Sequence, residues 1–390
     1  LVSDVSIRGK AAIAGVFEHP LRKIPDRTTA RIHAEVAVGA VADAGLSLAD
    51  VDGYFCDSTA GFGPISMAEY LGLKPHYVDS TETGGSSYIV HVGHAATAIA
   101  AGKCRVALIT MAGRPRSAPQ GMPAPAEPLP ETTFEESWGM FGIAPAYALA
   151  AQRHMYEYGT TSAQLAEVKV AAAHHAQYNP NAMLRDPVTV EQVLDSPMVS
   201  DPLHRLDCCV VSDGGGAIVV VDAALAAELG GRCVSVLGQG EAIKHTDNGG
   251  TDLTYTAAVE SGPRAFDEAG VTPKDIDYVS IYDSFTITAL IAIEDLGFCP
   301  KGRGGEFVQD GALQAPHGVL PFNTDGGGLC NNHPSNRGGV TKVIEAVRQL
   351  RGEANSEVQV PDCELALAHG TGGSIGTRMG SATVILGRSS

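Results

Sequence analysis

The feature that most constrains this chain is a repeat within it. Ala44-Gly45-Leu46-Ser47 through Asp50-Val51-Asp52 matches Ala269-Gly270-Val271-Thr272 through Asp275-Ile276-Asp277, with Gly45 and Gly270 standing 225 positions apart. Upstream of each copy runs a helical pattern, AEVAVGAVADAG in one and YTAAVESGPRAFDEAG in the other, closed by the glycine. Downstream comes a short strand, GYFCDS or YVSIYDS. The parallel continues: a glycine-rich opening leads into a long helix at Gly84–Ser87 and again at 326–339, and the helices feed the apolar strands CRVALIT and CELALAH. Each half then closes on a continuous apolar strand, SDGGGAIVVVD or RMGSATVILGR. Strands without polar alternation are buried on both faces, as when helices cover a sheet on either side. Two such halves packed together predict an α/β fold in α/β/α/β/α layers, with residues 1–228 as the first half and 229–390 as the second.

One stretch breaks the symmetry. Residues from about 113 to 204 have no counterpart in the second half; they open with a Pro-, Ala- and Glu-rich segment too long for an ordinary connection. The helical pattern TSAQLAEVKVAAAHHAQYN follows. We expect the segment from Gly113 to about Ser137 to be a loop that carries substrate or subunit contacts.

Composition excludes several classes of partner. A formal charge of −17 repels nucleic-acid backbones and anionic membranes alike, so any phosphate group must meet a local basic patch. Arg114 and Arg116, in the turn GRPR, are candidates for that patch; a solvated basic turn is the bland alternative. No apolar run approaches the length of a membrane span, and LVSDVSIRGK lacks the apolar core of a signal peptide, which points to the cytoplasm. The eight cysteines form neither a C-x-x-C pair nor a zinc-spaced cluster, so we expect reduced core thiols and no metal.

Five motifs, read together, are specific: RHMYEYGTTSAQLAEVKVAAAHHAQYNPNA, DPLHRLDCCVVSDGGGA, IYDSFT, NTDGGGLCNNHPSNRGG and AHGTGGSIG. In this order the chain resembles the thiolase superfamily, and within it the sterol-carrier-protein type thiolases, over nearly its whole length. The resemblance implies chemistry on an acyl-CoA thioester, with coenzyme A as part of the substrate and no covalently bound cofactor. It also implies a homodimer across the first-half sheets. Cysteine-lacking relatives further imply a small OB-fold, zinc-ribbon acyl-CoA-binding partner.

The family's motif positions are altered here. Where active relatives carry a nucleophilic Cys at the start of the first-half helix, this chain has Ser86. The His-Asp-Cys-Phe-like motif reads Tyr282-Asp283-Ser284-Phe285, and the Gly-His-Pro-x-Gly motif reads Asn332-His333-Pro334-Ser335-Asn336. The glycine turn is kept as His369-Gly370-Thr371-Gly372-Gly373.

A cysteine stores an acyl group because its thiol ionises near pH 8.5 and lower still at a helix N-terminus; a serine hydroxyl has no comparable thiolate. Ser86 therefore reads first as a helix N-cap and second as a nucleophile assisted by a base. Without a covalent step, the equipment suits aldol or retro-aldol cleavage of a β-hydroxyacyl-CoA, which needs a base at the β-hydroxyl and donors for the thioester enolate. His333 is the expected base, Tyr282 a donor or orienting group, and His369 a further site histidine. Backbone amides of Gly372 and Gly373, with those at Ser86 and Ser87, would hold the oxyanion. Two alternatives stay open: thiolysis through Cys330 or Ser86, and a non-catalytic acyl-CoA-binding subunit. Cys330, Tyr282 and His369 each also have a plain packing role as alternative; His174 and His175 read as surface or packing residues, and Asp207 and Asp213 as turn-fixing carboxylates.

Overall fold

The computed structural model describes residues 6–58, 60–118, 130–245, 250–334 and 338–389. The first half builds β1 (Ala11–Glu18), α1 (Thr29–Asp43), β2 (Gly53–Phe55), α2 (Pro64–Leu71), β3 (Tyr77–Asp79), α3 (Ser87–Ala100) and β4 (Val106–Gly113). The insertion contributes α4 (Pro130–Ser137), α5 (Ala144–Tyr158), α6 (Ser162–Ala176), α7 (Val190–Leu194) and the ribbon β5 (Met198–Ser200) with β6 (Leu203–His204), before β7 (Gly214–Asp222) and α8 (Ala223–Leu229). The second half runs β8 (Val234–Lys244), α9 (Ala258–Ala269), β9 (Tyr278–Ile281), α10 (Thr286–Asp295), α11 (Gly304–Phe307), α12 (Gly339–Arg351), β10 (Leu365–Ser374) and β11 (Thr377–Arg388).

The main strands stand in the order β3-β2-β4-β7-β1-β8-β11-β10-β9. Read outward from the β1/β8 junction, the two sides carry equivalent strands: β7 mirrors β11, β4 mirrors β10 and β2 mirrors β9. The repeat is therefore structural, and its turns are built by the same bonds. Gly45 and Gly270 both end helices at positive φ, 70° and 65°. Asp50 accepts from Ser47 N at 2.8 Å, and Asp275 from Thr272 N at 2.8 Å. Asp52 then ties down the start of β4 through Val106 N, as Asp277 ties down β10 through Leu365 N.

The β1/β8 contact is thin, with Ala12 opposite Ser235 and Ile13 opposite Val234. Three cores separate the layers. One packs α1 on the outer face of the first half-sheet, and another packs α5, α6, α9 and α10 on the outer face of the second. Between the half-sheets lie α3 and α12, buried almost entirely, with Ile89, Val92, Val343 and Val347 in one core with strand residues of both halves. This is the layered architecture expected. Part of the Pro-rich segment, 119–129, lies outside the described residues, as do Ser335 and Asn336 of the altered motif. Among the described residues no helix is long and apolar enough to cross a membrane.

Candidate active site

The carboxyl ends of parallel strands, where helices begin, are where open α/β sheets hold ligands. Here β9 ends, and β10 runs on past it, against the start of α3. Tyr282 N donates to His369 O at 2.9 Å, extending the β9/β10 pairing by one residue and turning the Tyr282 ring toward the inner layer. That ring lies flat against Gly85: a Cβ on Gly85 would stand 2.6 Å from Tyr282 Cζ and 2.4 Å from Thr371 O. The neighbouring glycines serve the same close packing. A Cβ on Gly372 would stand 1.6 Å from Thr83 O, and one on Gly339 2.0 Å from Gly85 O.

His333 arrives from the second-half glycine loop. One wide turn at 327–331 brings it beneath Tyr282, and Tyr282 Oη lies 2.6 Å from His333 Nε2. The loop is held by buried charge. Asp283, next to Tyr282, accepts from Gly328 N at 2.7 Å and Leu329 N at 3.1 Å, and Lys342 Nζ on α12 stands 3.2 Å from the same carboxylate. Arg22 reaches across from the first half to Asn331 Oδ1 at 2.7 Å, itself paired with Glu18 at 2.6 Å. His333 N donates to Ser212 Oγ at 2.9 Å, which holds the main chain that carries the ring.

Burial, and then the Lys342 ammonium, lower the His333 pKa to about 4. The imidazole is thus neutral near pH 7 and able to accept. Burial works against the ammonium of Lys342 too, yet Asp283 and Asp325 outweigh it and hold the Lys342 pKa above its ordinary value.

Tyr282 and His333 open onto a cavity of about 60 Å³. Its wall includes Gly85, Gly372 and Gly373, and also Tyr147, Cys209 and Thr371. These last three were missed. Tyr147 belongs to an amphipathic helix of the insertion with no motif to mark it, and Thr371 sits inside a turn read only for its glycines. Among the described residues Thr371 Oγ1 is buried without a hydrogen-bond partner. A groove of about 350 Å³ adjoins the cavity across Gly372 and Gly373 and is bordered by Arg378, whose guanidinium pairs with Glu135 on α4 at 2.7 and 2.8 Å.

Several sequence expectations are corrected. Ser86 stands at the N-cap position of α3, but its side chain does not cap: the backbone there is already helical, with φ −82° and ψ −16°, and the hydroxyl turns back to donate to Thr83 O at 2.8 Å. It faces Thr83 and a separate groove beside Gly380 and Ile243, away from the Tyr282–His333 cavity. The Ser87 amide is spent on Gly84 O in the turn before α3, so it is not free to hold an oxyanion. His369 lies on the other face of its strand. The adjacent Gly370 faces Ser86 and Gly85, while His369 Nδ1 bonds Thr383 Oγ1 at 2.9 Å, beside Ser261 of the outer helix α9. Burial lowers its pKa to about 3.

Arg114 donates to Ile24 O and Pro25 O, each at 3.0 Å, and Arg116 to Val211 O at 3.2 Å. Both guanidinium groups brace neighbouring main chain and leave phosphate recognition without support. Cys330 is a buried thiol whose pKa burial raises, touched at 3.0 Å by Lys169 Nζ. His175 is a packing residue whose Nε2 accepts from Ala315 N at 2.8 Å, and Asp213 fixes turns through Ile24 N and Arg116 N.

Residues 240–388 match the family model described as thiolase C-terminal domain-like. An acetyl-CoA acetyltransferase of Methanothermobacter thermautotrophicus is 36% identical, over 94% of this chain and 97% of that protein. A 17-hydroxy-3-oxo-4-pregnene-20-carboxyl-CoA lyase of Mycobacterium tuberculosis is 33% identical over the same shares. Among solved structures, an Ltp2-ChsH2(DUF35) aldolase superposes with a TM-score of 0.88 at 30% identity, covering 98% of each chain.

Proposed function

The chain belongs to the thiolase superfamily, as an enzyme that makes or breaks a carbon–carbon bond in an acyl-CoA thioester, and from that premise we propose retro-aldol cleavage of a β-hydroxyacyl-CoA without an acyl-enzyme. The observation that carries this reading is the 2.6 Å contact between Tyr282 Oη and His333 Nε2, in a site where the start of α3 offers a serine turned away. Tyr282 takes the proton of the substrate's β-hydroxyl as its own proton passes to the neutral His333. The electron pair of the Cα–Cβ bond moves into the thioester, and the β-carbon leaves as a ketone or aldehyde. Enolate oxygen is held by the Gly373 amide and the unpartnered Thr371 hydroxyl in place of Ser86 and Ser87, because the Gly372 amide faces Gly380 across the β10/β11 pairing.

The groove shared across Gly372 and Gly373 serves as the route for the pantetheine arm. As further parts of the proposal, the enzyme works as a homodimer through the edge strand β3, whose Val78 is exposed, and with a small OB-fold, zinc-ribbon acyl-CoA-binding subunit. The Ltp2-ChsH2(DUF35) neighbour supports such a subunit. Eight free cysteines are in keeping with a cytoplasmic location. The test is product analysis with purified protein and partner. Cleavage of a β-hydroxyacyl-CoA to a carbonyl compound and a shorter acyl-CoA supports the reading. Cleavage restricted to β-ketoacyl-CoA, and dependent on free CoA, would replace it with thiolysis.

A further inference from the structure

A retro-aldol cleavage needs two proton operations, and Tyr282 with His333 accounts for one. The other is delivery of a proton to the α-carbon of the enolate, and its donor must line the same cavity while staying protonated. We infer that Tyr147 is that donor, a catalytic acid supplied by the insertion that interrupts the repeat; this rests on the retro-aldol reading above.

Tyr147 is 4% exposed and shares the cavity wall with Tyr282 and His333. It is fixed from two sides. Its ring stacks on Phe285, with centroids 4.4 Å apart and planes at 27°. Its hydroxyl interacts with the Ser284 side chain and the main chain of Ile375. Ser284 stands where the resembling family has its acid/base Cys and is itself anchored to Thr288 Oγ1 at 3.1 Å, so the tyrosine hydroxyl is brought to that family position by Ser284. Burial raises the Tyr147 pKa to about 12, which keeps the phenol protonated through neutral pH. Cys209, the other titratable group of the wall, is a thiol that burial also keeps neutral, and it is the competing donor.

The step balances. Cleavage leaves the enolate with the former Cα–Cβ electron pair and one proton on the Tyr282–His333 pair. Tyr147 gives its hydroxyl proton to the α-carbon, and the thioester carbonyl re-forms. The resulting phenolate and the protonated pair return to their starting states through water once products leave, so one proton has moved from oxygen to carbon.

The test follows deuterium entry at the α-carbon of the shorter acyl-CoA, incubated with the wild-type enzyme and its partner in D2O and read by mass spectrometry, beside cleavage of the parent β-hydroxyacyl-CoA. Tyr147→Phe removes one oxygen and leaves the stack on Phe285. We expect it to slow exchange by about two orders of magnitude or more, with an unchanged melting temperature. Exchange within about threefold of wild type, in an enzyme that still cleaves, would overturn the assignment and leave the retro-aldol reading standing. Loss of exchange in Cys209→Ser, with none in Tyr147→Phe, would overturn it in favour of the thiol. A wild type that cleaves no β-hydroxyacyl-CoA would remove both.

Discussion

Tyr282 and His333 are 51 residues apart, yet the tyrosine hydroxyl and the imidazole Nε2 meet at 2.6 Å, and each is held by a different element of the second half. Tyr282 is set by the end of β9; His333 is set by a glycine turn tied to Asp283. Such a pair behaves as one base.

The two members should therefore be lost together. His333→Ala and Tyr282→Phe are each expected to lower cleavage by about two to four orders of magnitude, and the double variant to be little worse than either alone. Steady-state kinetics on all three check this; additive losses would separate the residues.

The acid limb of the pH profile should lie low. His333 accepts a proton only while neutral, and its pKa of about 4 keeps it so down to mildly acidic solution. Activity is expected to fall as pH drops through about 4. Lys342→Met removes a positive charge that disfavours imidazolium and leaves Asp283 to favour it, so the limb should move to higher pH. A limb that stays in place would show that Lys342 does not act on His333.

Gly85→Ala should damage catalysis more than folding. Gly85 has no positive φ, so alanine is allowed there, but its Cβ would meet Tyr282 Cζ at 2.6 Å and Thr371 O at 2.4 Å. Displacing the ring by about 1 Å is expected to cost on the order of 100-fold in rate. Rate and melting temperature measured on the same sample distinguish this from general instability.

Acid should destabilise the fold early. Burial lowers the pKa of His91 and His333 to about 4 and of His175 and His369 to about 3. In the unfolded chain these rings take up protons near pH 6.5, whereas the folded protein binds them only below its own lower values. Unfolding therefore absorbs protons between these limits, and stability should drop as pH falls from about 6.5 toward 4, by up to ~1.4 kcal/mol per pH unit for each ring. Denaturant titrations at stepped pH measure the slope; His175→Gln should flatten it.

No acyl-enzyme is expected. The Ser86 hydroxyl donates to Thr83 O, and Cys330 is a buried thiol in contact with Lys169. Intact-mass measurement on samples quenched during turnover should find the unmodified protein; an acyl adduct would restore the thiolysis alternative.

The layered fold was legible in the chain's internal repeat. Repeats such as Gly45 and Gly270, or Asp50 and Asp275, are set by local bonds between residues three to five apart, and these act before any tertiary contact forms. Tyr282, His333, Gly372 and Gly373 could be singled out from their motifs, and the structure brings them to the wall of one cavity. Which face each side chain takes came from long-range packing. A strand reverses its side chains at every residue, so His369 pointed to α9 instead of the cavity once register placed Gly370 against Gly85. Ser86 turned on a hydroxyl rotamer set by Thr83, and Tyr147 came from an insertion whose docking depends on packing against Phe285. Contacts between residues far apart in the chain depend on how whole layers dock, and a linear reading carries no information on that docking.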